Sequence, residues 1–98
     1  MPFDISIEPL ALQDIQKEID YYDEQQIGLG HTFEEILDNH FTSIETNPFF
    51  QIRYDNVHCL PVNKYPYMIH FTINETDNKV TVRAVFHTSL DPDKWTDR

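Results

Sequence analysis

The chain holds one cysteine, Cys59, two glycines, and only seven lysines and arginines among its 98 residues. Each scarcity excludes something. A single thiol cannot form an internal disulfide framework or a cysteine-clustered zinc site, and it fits a reducing, cytoplasmic compartment. Gly28 and Gly30 stand alone without GxxxxGK[ST], so they cannot cradle a phosphate. No stretch approaches the ~18 apolar residues of a membrane span. The opening "MPFDISIEP" also lacks the basic and apolar regions of a secretion signal, so a soluble, unexported protein is expected.

The shortage of bases is uneven. Residues 1–47 contain eleven acids against the single base Lys17, whereas residues 48–98 contain six of each, so the net charge of −10 belongs to the first half. Such a half repels nucleic acid and attracts cationic partners, which argues against direct nucleic-acid binding. A solvated acidic helix face is the simpler use of the same charge. Length and a hydrophobic fraction of 40% suit one domain with one core.

What is present follows two periods. "FDISI" alternates, with Phe3, Ile5 and Ile7 on one side, as in a half-buried strand. Beyond Pro9, Leu12, Ile15, Ile19 and Tyr22 recur at helical spacing, predicting a helix over Pro9 to Gln26 that ends at the glycines. Phe33, Ile36, Leu37, His40, Phe41 and Ile44 form the clearest stripe, a second helix closed by Asn47-Pro48. Thr32 with Glu35 offers a capping box there, and His40 is expected to pack at the edge of the core.

From Pro48 onward β-branched and aromatic residues dominate, predicting strands Val57–Val62, Tyr67–Ile73 and Val80–His87. "NETDNK" is a hairpin loop; pairing Asn74 with Lys79 sets Ile73 opposite Val80 and His70 opposite Arg83. On the last strand, Val80, Val82, Ala84 and Phe86 are expected on one face, with Thr81, Arg83, Val85 and His87 on the other. Leu90 to Arg98 has no clear period and reads as an irregular tail anchored by Trp95. The fold class is α+β: an N-terminal strand, a helical hairpin, then a three-stranded antiparallel meander, in two layers as one domain over residues 1–98.

Several segments, in order, resemble one family. "DIQKEIDYYDEQQIGLGHTFEEIL", "YDNVHCLPVNKYPYMIHFTI" and "VTVRAVFHTSLDPDKW" are similar to the RelE/ParE superfamily of toxins from bacterial type II toxin-antitoxin modules. Tyr21-Tyr22 followed by Gly28-Leu29-Gly30, then Lys64-Tyr65-Pro66-Tyr67, then His87 with Asp91-Pro92 and Trp95, point to the ParE-like branch. The resemblance also suggests a second helix starting nearer Gly28 than Thr32. It implies a plasmid-stabilisation type of protein in the bacterial cytoplasm, silenced by a cognate antitoxin that wraps over its sheet and helices. ParE-like members bind DNA gyrase; RelE-like members cut messenger RNA on the ribosome.

A nuclease needs acid–base groups and cations around the scissile phosphate. The candidates are His87, Arg83 and Tyr65, a thin set, and they support no firm catalytic assignment. For His87 the alternative is a structural histidine bonding the following turn or Asp91. Tyr65 and Tyr67 bracket Pro66 and are expected to pack. The resemblance places arginine where this chain has His58 and Leu90, which removes charge-assisted contacts and points to an attenuated or retargeted member, or one that only binds antitoxin. Partner contacts are assigned to His70, Arg83, Lys94, Trp95 and Arg98. The five histidines lack HxxxH or HExxH spacing, so neither metal nor cofactor is expected.

Overall fold

The two sequence periods become two layers. In a computed structural model that describes residues 3–49, 52–54 and 56–97, and for 52–54, 96 and 97 the backbone alone, a five-stranded sheet carries both helices on one face. The elements are β1 (Asp4–Ile7), α1 (Pro9–Gln25), α2 (Leu29–Thr46), β2 (Ile52–Tyr54), β3 (Val57–Pro61), β4 (Tyr67–Asn74) and β5 (Lys79–His87), then a 3-10 turn at Pro92–Asp97. The strand order is β1-β5-β4-β3-β2. All neighbours are antiparallel except β1, which lies parallel to β5 from Asp4↔Lys79 to Ile7↔Val82.

Pro9 begins α1 because its missing N–H costs nothing in a first turn. Gly28 takes φ +95° at the hairpin corner, a left-handed backbone that side-chain-bearing residues adopt only at a cost. α2 starts at Leu29, as the family resemblance suggested, and not at a Thr32 capping box: the Thr32 hydroxyl donates back to the Gly28 carbonyl at 3.3 Å. Asp23 caps the new helix from its neighbour, accepting the Gly30 N–H at 2.8 Å. The role of Gly30 is proximity. A Cβ there would lie 2.4 Å from the Ile19 carbonyl oxygen, so its absence lets the helices meet.

The α2 stripe is buried as its spacing requires, with Phe33, Leu37, Phe41 and Ile44 packed on Ile69, Phe71, Val80, Val82 and Val85 of the sheet. On α1 the buried residue of the first turn is Ala11; Leu12, expected inside, is 52% exposed. His40 is half-buried and bridges layers: one ring nitrogen, Nδ1, bonds the Ile36 carbonyl at 2.7 Å, and Nε2 accepts the Asn63 N–H at 3.1 Å. That pair of partners fixes a single neutral tautomer, with the proton on Nδ1.

Four expectations need correction. A fourth strand, β2, precedes the predicted three and extends the sheet, and the tail is a 3-10 turn instead of irregular chain. The hairpin register agrees from Asn74↔Lys79 to Ile73↔Val80 and then slips. Phe71 pairs with Val82 and His70 with Ala84, so Arg83 is the extra residue of a β-bulge and does not oppose His70. Past the bulge the faces exchange. Val85 joins the helix-side core, while the Phe86 ring packs on His70 on the other side.

Candidate functional site

The sheet face turned away from the helices holds a second, smaller cluster. Val57, Cys59, His70 and Ala84 are all buried, yet none belongs to the helix-side core. Cys59 and His70 are direct cross-strand partners, with Sγ 3.5 Å from Nδ1. The chain's own tail forms the cover. Trp95, on the 3-10 turn, meets the His70 ring edge-on at 4.9 Å, and Phe86 meets it at 5.0 Å. Asp91 shapes that turn by accepting the Asp93 N–H at 3.0 Å. His70 is therefore fully buried and supports Trp95 from beneath, while Lys94 beside it is exposed.

On the helix side, at the end of the sheet where β5 stops, lies an aromatic cluster. Tyr22 on α1 touches Tyr65 and Phe33 at 5.2 and 5.3 Å, and Tyr67 touches His87 at 5.1 Å. The Tyr67 hydroxyl donates a hydrogen bond to the Glu18 carboxylate. Burial, reinforced by that carboxylate, pushes the Tyr67 phenol far above its usual range, and burial also raises Tyr22. Neither tyrosine is poised to give up a proton at neutral pH.

His87 ends β5 with Nδ1 turned to its own turn, accepting the Ser89 N–H at 3.0 Å and lying 2.7 Å from the Ser89 hydroxyl. The turn-bonding alternative is the one observed, through Ser89. Arg83 sits on the opposite flank. Its guanidinium pairs with Glu8, at the junction of β1 and α1, and Nε donates to the Thr72 hydroxyl at 3.2 Å. The ring of His87 is on the helix side and the four-residue separation along β5 is roughly 13 Å.

The three nuclease candidates thus divide. Tyr65 and His87 share the aromatic cluster through Tyr22 and Tyr67, and Arg83 stands apart in an ion pair. Of the proposed partner contacts, His70 and Trp95 stack together, and Lys94 adjoins them in the chain. Arg98 lies outside the described residues. His58 stacks on Phe71 at 5.6 Å on the helix side, and Leu90 donates its N–H to the His87 carbonyl in the turn. Sequence reasoning missed Glu18, Asp14 and Glu8, whose partners lie 49, 71 and 75 residues away in the chain. No local signal could have announced them. Among the described residues no group of three or more His, Cys, Asp or Glu could hold a metal, and no helix is long and apolar enough to cross a membrane.

No protein-family model matches the chain, and no curated protein matches it by sequence. Solved structures do match it in shape. The chromosomal ParDE toxin-antitoxin system of P. aeruginosa superposes with a TM-score of 0.75 at 10% identity, over 87% of this chain and 95% of that one. A mutant of E. coli toxin RelE in the free state gives 0.72 at 14% identity, over 98% and 93%. The RelBE2 toxin-antitoxin complex of Mycobacterium tuberculosis gives 0.63 at 13%, over 89% and 99%. The chain has the fold of these toxins, in agreement with the sequence resemblance.

Proposed function

We propose that this chain is the toxin of a type II toxin-antitoxin module, neutralised by a cognate antitoxin, and that it acts by binding a protein target. The match in fold to the ParDE and RelE structures, over 87% and 98% of this chain, supports the module. The observation that carries binding over cleavage is the separation of Arg83 and His87 on two flanks of β5. Arg83 is paired with Glu8, and Ser89 holds His87 through Nδ1. A scissile phosphate near one would be far from the other, and phosphoryl chemistry needs them around one centre. The net charge of −10 also opposes docking on ribosomal RNA.

DNA gyrase is the target class that the ParE-like resemblance suggests. Expression of the chain without its antitoxin in bacteria is the first test, read as growth arrest. Supercoiling assays with purified gyrase and mapping of transcript ends then separate the two modes of action. Inhibited supercoiling with intact transcripts is the expected result. Codon-positioned transcript ends that vanish with His87→Ala would overturn the binding mode, and unimpaired growth would favour a member that retains antitoxin binding alone.

A further inference from the structure

On the helix side, at the end of the sheet away from His87, a cleft of about 280 Å³ opens between Phe49, Asn56, His58, Ile73 and Glu75. Its size is just below the ~300–1,000 Å³ range of small-molecule pockets, which suits one inserted side chain better than a cofactor. Two of the walls have packing partners within the chain. Phe49, 57% exposed, has its N–H bonded to the Asn47 side chain at 3.3 Å and its ring packed edge-on against Phe3 at 5.9 Å. His58 is held flat on Phe71, and Ile73, half-buried, forms the apolar floor.

The rim decides the occupant. Glu75 is an exposed residue of the β4–β5 turn and, among the described residues, has no ion-pair partner. The neighbouring carboxylate, Asp77, is tied to Asn74 through both its N–H and its side chain, and so fixes the turn. A carboxylate above two aromatic walls and an aliphatic floor matches a side chain with an apolar stem and a planar cation at its end. Arginine meets both requirements: its methylenes cover Ile73 and Phe49, and its guanidinium pairs with Glu75 while stacking on an aromatic face. The excess of seventeen acids over seven bases draws such a group toward the molecule.

We propose that this cleft is an anchoring subsite for an arginine side chain presented by a partner protein. It rests on the function proposed above only for whose arginine it is, the antitoxin's being the expected one. The test uses small probes and so holds independently of that reading. Amide resonances of the labelled chain are followed during titration with N-acetyl-arginine amide and with N-acetyl-citrulline amide, a neutral molecule of the same shape. Saturable shifts at Phe49, Asn56, His58, Ile73 and Glu75 are expected for arginine, with Kd on the order of millimolar, and roughly tenfold weaker binding for citrulline. Glu75→Gln should erase that preference, and Phe49→Leu should weaken both probes, each in a chain whose remaining spectrum shows it folded. Equal response to the two probes, shifts spread over the acidic helices instead, or no saturation at all would each overturn the assignment.

Discussion

The Asp14 carboxylate on α1 accepts a hydrogen bond from the Val85 N–H on β5 at 3.1 Å. The relationship follows from the bulge. β1 covers β5 only as far as Val82, and the extra residue Arg83 turns the next outward-facing N–H toward the helix. A half-buried carboxylate there satisfies a donor that no strand reaches. Asp14→Ala should destabilise the fold by about 1–3 kcal/mol, the usual penalty for orphaning such a donor, measured as a lower urea midpoint. Asp14→Asn, which retains an acceptor oxygen, should recover part of the loss.

Gly30→Ala should be the more damaging of the two glycine replacements. Its new methyl meets the Ile19 carbonyl oxygen at 2.4 Å and Asp23 Oδ1 at 2.7 Å, so the helix pair must separate. A loss of about 1–3 kcal/mol is expected from overpacking. At Gly28 nothing lies within 4 Å and only the left-handed backbone resists, at about 1–2 kcal/mol. Thermal melts of the two variants should rank in that order.

Tyr67 makes a pH prediction. Its phenol is raised above the usual ~10, first by burial and then by Glu18. Below pH ~10 the folded and unfolded phenols are both protonated, and the stabilisation is fully present. Above it the unfolded phenol ionises while the folded one does not, so stability falls as pH rises, approaching 1.36 kcal/mol per pH unit. Tyr67→Phe should be less stable than the parent at pH 8, and the gap should narrow at pH 11. Urea titrations at the two pH values decide it; a constant gap would mean that Tyr67 is not the group responsible.

His40 joins α2 to the segment after β3 through a defined tautomer. His40→Ala should cost about 0.5–1.5 kcal/mol, the net worth of the hydrogen bond that the exposed Asn63 N–H exchanges for water. Imidazole nitrogen resonances of the parent should show Nε2 unprotonated and Nδ1 protonated at neutral pH. The reverse assignment would remove the reason for the predicted loss.

How much of this could be read in advance differs from element to element. The α2 stripe from Phe33 to Ile44 specified both helix and buried face, because one period governs all six positions. On α1, Ala11 and Leu12 both fit a stripe with Ile15, and only the sheet's position chooses between them. Strand alternation carried β5 correctly to Val82 and failed at Arg83, since the carboxylate that accommodates the bulge is 71 residues away in the chain. The same distance problem hid the Glu8 partner of Arg83 and the Glu18 partner of Tyr67. The order Cys59 to His70 to Trp95 contained no sign that the three would stack, because cross-strand register and the returning tail create the cluster together.

The parallel pairing of β1 with β5 also sets a schedule for synthesis. Asp4 must wait for Lys79, and Ile7 for Val82, so β1 leaves the ribosome well before β5 and finds its place only after β5 has been made. Closing so long a loop is slow compared with forming the helical hairpin or the β4–β5 hairpin. Until that moment the apolar side of β1 and the outer edge of β5 are both uncovered. A nascent chain of this fold therefore passes through a helical hairpin with an unfinished sheet, and its sheet is completed only once β5 has been made.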